Sequence, residues 1–179
     1  MEQITRFIRD VETEVKTEKF IKLYQSIREQ HSRIKSFSTP EGLVSCLHNQ
    51  NNPDYALNDS VLSILIVEYL SQPQASLIGS YLIILFKPGL LSLFTQFRRR
   101  ALCFASISEA DLWFQIIGFF LEEIKKVGLA AEKTKIASKV LGRLRNRLRG
   151  HFSKLFKELQ SERELNQDAF HPNNGQAIS

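Results

Sequence analysis

At 179 residues and 43% hydrophobic content the chain is long and apolar enough to fold unaided, as one domain or one domain with an added helical segment. Its formal charge of +5 and pI near 9.3 favour an acidic partner such as nucleic acid, an anionic membrane or an acidic protein surface. Cys46 and Cys103 are its only cysteines and form no C-x-x-C pair, which excludes a disulfide framework and a thiolate zinc site. Charges throughout the first thirty residues exclude the apolar segment of a signal peptide, so a cytoplasmic setting is expected.

Residues 1–35 place Ile4, Phe7, Ile8, Val11 and Val15, then Phe20, Leu23, Tyr24, Ile27 and Ile34, at three- and four-residue steps. This predicts an amphipathic helix with a break near Thr17. Thr39 and Pro40 suit the N-cap and first position of a short helix ending near His48. The polar run Asn49 to Asp54 reads as a linker between an N-terminal helical segment, 1–50, and a main body, 55–165.

The main body opens at Asn58-Asp59, either of which can cap a helix carrying Val61, Leu62, Leu65, Ile66, Tyr69 and Leu70 and stopped by Ser71-Gln72-Pro73. A second helix covers Gln74 to Phe86 and continues after Pro88 to Arg98-Arg99-Arg100, kinked or split at the proline. Its apolar part, Leu77 to Phe86, is cut by Lys87-Pro88-Gly89 before the roughly 20 residues of a membrane span, so no membrane association is expected. Ser108 and Asp111 form a shortened capping box that opens an apolar helix, Leu112 to Val127, closed by Gly128. The last helix runs from about Ala130 to Glu164, and a polar tail, 166–179, is expected to be disordered. With no period-two alternation anywhere, the fold class is all-α, a multi-helix bundle with an N-terminal helical extension.

In the last helix Ile136, Val140, Leu141, Leu144, Leu148, Phe152, Leu155 and Leu159 share one side, and Lys135, Lys139, Arg143, Arg145, Arg147 and Arg149 take the other. No acidic residue interrupts the run from Lys133 to Lys157, so the helix lacks the carboxylates at four-residue spacing that would neutralise it. Such a stripe stores a positive field, and phosphate groups are its natural partner.

From Leu77 to Phe156 the order of elements resembles conserved region 2 of bacterial RNA polymerase sigma factors, above all the extracytoplasmic-function class. The likeness is carried by the apolar helix ending in a basic cluster (Tyr81 to Arg100), the acid-capped helix (Ser108 to Ile124) and the Leu/Arg-rich helix (Lys135 to Arg149). The resemblance implies a transcription factor whose middle helix docks on the polymerase core through Asp111, Leu112, Trp113, Phe114 and Gln115. It also implies that Lys135, Lys139, Arg143, Arg145, Arg147 and Arg149 contact promoter DNA, and that an anti-sigma-like protein holds the factor in check. The family's Gln and Glu correspond here to Phe114 and Gln115. No aromatic residue lies between Phe120 and Phe152, which favours duplex-backbone contact over capture of unstacked bases. The stretch after Arg149 is too short and polar for the family's second DNA-binding module. The alternative is a helical adaptor, from a mobile element or defence locus, that binds an acidic protein.

No catalytic constellation is expected. His31, His48, His151 and His171 are dispersed, Glu122-Glu123 fits a solvated helix edge, and the isolated glycines form no phosphate loop. The residues therefore predict a non-enzymatic binding protein with no metal, cofactor or small-molecule substrate. Trp113, Phe114, Phe119 and Phe120 occupy so much of one helix that they either pack among several helices or leave a docking patch.

Overall fold

Thr17 ends one helix and opens the next. Its hydroxyl donates to the Glu14 carbonyl at 2.7 Å while its oxygen accepts from the Phe20 N–H at 3.3 Å, giving α1 (Glu2–Glu14) and α2 (Glu18–Gln30). The computed structural model describes residues 2–49, 51, 54–71, 74–101, 107–128 and 134–169, and these form helices and no strand. After α2 come α3 (Pro40–Leu47), α4 (Tyr55–Ser71), α5 (Ala75–Ala101), α6 (Glu109–Gly128) and α7 (Ile136–Ala169).

Side chains at the chain turns set these boundaries. Thr39 accepts from the Gly42 N–H at 3.1 Å with Pro40 in the first turn of α3. At α6 the capping box closes in both directions: Asp111 Oδ2 accepts from the Ser108 N–H (3.0 Å) and hydroxyl (2.6 Å), and the Asp111 N–H donates to Ser108 Oγ at 3.1 Å. The cap of α4 corrects the sequence expectation. It is Asp54, accepting from the Leu57 N–H at 3.0 Å, and Asn58 and Asp59 lie inside the helix. Residues 166–169, expected in the tail, continue α7; 170–179 and Cys103 lie outside the described residues, as does the predicted start of the last helix at 130.

α5 is the hub of the core. Leu82, Phe86, Leu90, Phe94 and Phe97 are buried along it, Phe86 against Phe120 of α6 and Phe97 stacked on Phe152 of α7. By length and composition this helix is sufficient to cross a bilayer, since it runs unbroken through Pro88; its apolar side chains are instead largely enclosed by the neighbouring helices. Proline removes the N–H that the Ile84 carbonyl would have received. The next carbonyl, Leu85, accepts a bond from His48 Nε2 at 2.8 Å, and at Gly89 a Cβ would lie 2.5 Å from Leu141 Cδ1. Around Lys87-Pro88-Gly89, α5 thus meets both the C-cap of α3 and the Leu141 side chain of α7.

The predicted N-terminal segment is not a separate body. Ile4, Val11, Phe20, Tyr24, Ile27 and Leu43 belong to the same buried cluster as α4–α7. Polar ties reinforce the contact: Glu12 to Lys87 Nζ (2.7 Å), Glu14 to the Ser80 hydroxyl (2.5 Å) and His31 to the buried Glu68 (2.9 Å). Tyr24 donates to the carbonyls of Phe37 and Thr39, and Tyr81 to that of Pro40 at 2.8 Å. Burial pushes the Tyr24 phenol up to about 12 and raises Tyr81 further, so both remain hydroxyl donors.

Candidate nucleic-acid interface

α7 is held at three places. Its N-terminus is capped from α4: Asp59 Oδ2 accepts from the Lys135 N–H at 2.6 Å and Oδ1 from the Ile136 N–H at 2.8 Å. Lys135 has φ of 52°, a left-handed conformation uncommon for a side-chain-bearing residue, in the turn that presents both N–H groups to the one carboxylate. Along its length Ile136, Val140, Leu144, Leu148 and Phe152 are buried, as their spacing predicts. Leu155 is half-buried, and Phe156 and Leu159 are exposed where the helix leaves the body.

The third anchor is Arg147, which departs from the expected open stripe. Its guanidinium meets Glu122 at 2.5 Å and Glu123 at 3.3 Å, and lies over the Phe119 ring at 4.1 Å. Glu123, expected on a solvated edge, is buried and shared with Lys126 at 2.7 Å. The carboxylates missing from α7 are thus supplied by α6, but only to this one arginine.

The six predicted cations therefore separate. Lys135 belongs to the capping turn, Arg147 is an anchor, and Lys139 is half-buried. Arg143, Arg145 and Arg149 are exposed, and none meets a carboxylate among the described residues. At about 100° per residue, Arg145 falls on the flank toward α5, which contacts α7 through Gly89–Leu141 and Phe97–Phe152, and Arg149 lies farther out, within about 20° of Gly142. Arg143 falls on the flank toward α6, where Gln115 and Glu122 meet His151 and Arg147. Between the two flanks lie Gly142, Asn146 and Ser153, and Lys135 and Lys139 share that outer arc on the same helical wheel, so the cations are spread across it.

The predicted docking residues on α6 do not form one surface. Asp111 is engaged by Ser108, and the hydrogen bond from that hydroxyl, followed by the one from the backbone N–H, lowers its carboxyl below the ordinary range. Leu112 and Trp113 are 0% exposed; Trp113 sits edge-on to Phe94 (5.8 Å) and Phe7 (6.4 Å), with its indole N–H meeting no acceptor among the described residues. Gln115 turns inward, its amide nitrogen 2.7 Å from His151 Nε2. Phe114 faces outward, 47% exposed and edge-on to Phe7 at 5.5 Å, and Asp111 is exposed a turn earlier with its carboxylate occupied by Ser108.

His31 pairs with Glu68, His48 with the Leu85 carbonyl and His151 with Gln115, while His171 lies outside the described residues. No group of three or more potential metal ligands occurs among the described residues. A cleft of about 700 Å³ beside the start of α7 is lined by Tyr55, Asn58, Asp59, Lys135 and Ser138, with Asp59 already used as the cap.

Fold and site together define a class: an all-α bundle that presents one basic helix. No protein-family model matches the chain, and no curated protein or solved structure matches it either.

Proposed function

We propose that this chain is a non-enzymatic, cytoplasmic DNA-binding protein that grips duplex phosphates with Arg143, Arg145 and Arg149 of α7, Lys139 lying alongside. One observation carries the reading: these three arginines are exposed on a helix anchored at Asp59, Arg147 and Phe152, with no described carboxylate to neutralise them. Three unpaired guanidiniums on a rigid support attract polyanions without having to be ordered first.

A sigma-like transcription factor is the form of this function that the resemblance favours, with the polymerase core and an anti-sigma-like inhibitor as protein partners. Its polymerase contact would rest on Phe114 and the neighbouring Phe7, because Leu112 and Trp113 belong to the core. The alternative, an adaptor whose basic helix meets an acidic protein, draws on the same three arginines.

Binding of a random-sequence duplex, followed by fluorescence anisotropy over a salt series, tests the proposal. Each phosphate contact contributes about 0.9 to the slope of log affinity against log salt, so replacing Arg143, Arg145 and Arg149 by Glu lowers that slope by about 2 to 3. Circular dichroism should be unchanged. Equal affinity before and after the reversals overturns DNA binding by this face. Retention of polymerase core by the native chain, lost in Phe114→Ser, supports the sigma-like form; an acidic protein recovered in place of DNA supports the adaptor.

A further inference from the structure

α1 and α6 both lie on α5 and touch one another at Phe7, whose ring is edge-on to Trp113 and Phe114. Farther along, Glu14 accepts from the Ser80 hydroxyl, and Leu121 Cδ2 lies 3.9 Å from where a Cβ would stand on the neighbouring Gly79. The two helices therefore run side by side in the same direction, from Phe7 to Glu14 and from Phe114 to Leu121, about 10 Å of helix. Between them is a groove of about 660 Å³, floored by Ile83 and Ile117 and walled by Phe7, Val11, Glu14 and Leu121. Phe114 prolongs its apolar wall beyond Phe7.

We propose that this groove holds a basic amphipathic helix of a partner protein, with the partner's apolar side chains over Ile83 and Ile117 and its cations facing Asp10 and Glu14. The assignment is independent of the DNA-binding reading, since it uses none of the arginines of α7. Both carboxylates stand on α1, ahead of the stretch from Leu77 to Phe156 that carries the sigma-factor resemblance.

Charge selects the occupant. On a chain of net charge +5, the charged side chains that line the groove among the described residues are Asp10 and Glu14. Asp10 is exposed and meets no partner among the described residues, and Glu14 gives Oε2 to Ser80, leaving Oε1. Thr13 and Thr17 turn their hydroxyls onto the carbonyls of Arg9 and Glu14, so the carboxylates are the groups left for a ligand. By helical position the nearest cations are Arg6, a turn before Asp10, and Lys125, a turn after Leu121, at the two ends. Shape selects a helix, because two parallel helices over the floor of a third leave the kind of furrow into which a further helix packs its ridges. Carboxylates four residues apart are about 6 Å from one another, the spacing of two lysines four apart on a facing helix. An acidic helix would meet like charge there, and an uncharged one would cover two carboxylates without pairing them.

The probes are two synthetic helices of about 15 residues, with leucines along one face and either lysines or glutamates beside them, each titrated with the full-length protein. The leucine and lysine helix should bind despite the protein's own positive charge, and more tightly as salt is lowered. In spectra of protein labelled at the isoleucine methyls, it should shift Ile83 and Ile117 and leave Ile136, buried at the start of α7, in place. The leucine and glutamate helix should leave Ile83 and Ile117 unmoved. Asp10→Arg, a change at an exposed side chain, should weaken the leucine and lysine helix about 5-fold at low salt with circular dichroism unchanged. Equal affinity for the two helices, binding of neither, shifts confined to other methyls, or no effect of Asp10→Arg overturns the proposal. A concentration-dependent dimer that Asp10→Arg dissociates assigns the groove to a second copy of this chain, and overturns it as well.

Discussion

The Asp59 carboxylate, projecting from α4, accepts the backbone N–H of Ile136 at 2.8 Å, so the helix that carries the candidate interface is capped by a residue 77 positions earlier in the chain. A local cap secures only its own helix. This one also fixes where α7 begins relative to α4.

Replacing Asp59 with Ala should therefore cost about 1 to 2 kcal/mol, the range for loss of an N-cap, as read by urea denaturation. Asp59→Asn, which keeps one acceptor, should recover part of the loss. Amide exchange at Lys135 and Ile136 should accelerate in the alanine variant; unchanged protection there would show that the cap does not hold the helix start.

Arg147 and Arg143 are two turns of one pattern in sequence and opposites in structure. Arg147→Ala leaves the buried Glu123 with only Lys126 and removes the ring contact at Phe119, a loss of about 2 kcal/mol once the partial exposure of the pair is discounted. Arg143→Ala should stay within about 0.5 kcal/mol of the native stability. Equal stabilities for the two variants would contradict the anchor assigned to Arg147.

His151 accepts from the Gln115 amide, which needs a neutral ring. Burial is the chief cause that lowers its pKa below the ordinary 6.5, with Lys154 and Arg147 adding to it and Glu158 opposing. The unfolded chain therefore takes up this proton more readily than the folded one. Stability from this residue is full above about pH 6.5 and declines as pH falls from there toward the lowered folded pKa. His151→Gln should flatten that part of the stability–pH curve; an identical slope in the variant would remove His151 as its source.

Glycines supply a paired test of close approach. At Gly128 a Cβ would come within 2.6 Å of both Ile66 and Leu70, and overpacking of this kind costs about 1 to 3 kcal/mol, more than the helical preference for alanine returns. At Gly142 the space is open, so Gly142→Ala should stabilise by up to about 1 kcal/mol. Thermal melts that move in the same direction for both would refute the packing at Gly128.

What was legible in the sequence was local. Thr17, Thr39 with Pro40, and Ser108 with Asp111 act within three or four residues of themselves, and the spacing of Ile136, Val140, Leu144, Leu148 and Phe152 is a property of one helix. Asp59 was misplaced as the cap of its own helix because the N–H groups it serves belong to α7. Arg147 and Glu123 were placed on open surfaces because each is neutralised across an interface that neither helix displays alone. The polar run before Asp54 reads as a linker on composition, yet α1 packs on α5, and Phe20 and Tyr24 of α2 meet Tyr81.

Four polar ties that fasten α1–α3 to α4 and α5 end on residues the ribosome adds much later. Glu12 waits for Lys87, Glu14 for Ser80, His31 for Glu68 and the Pro40 carbonyl for Tyr81. Helices of 13 residues are marginal in water by themselves, and until α5 has been made Phe20 and Tyr24 lack Tyr81, the ring against which both pack. The first part of the chain to be synthesised is therefore among the last to settle, and a nascent chain halted before residue 80 presents these side chains to chaperones rather than to a core.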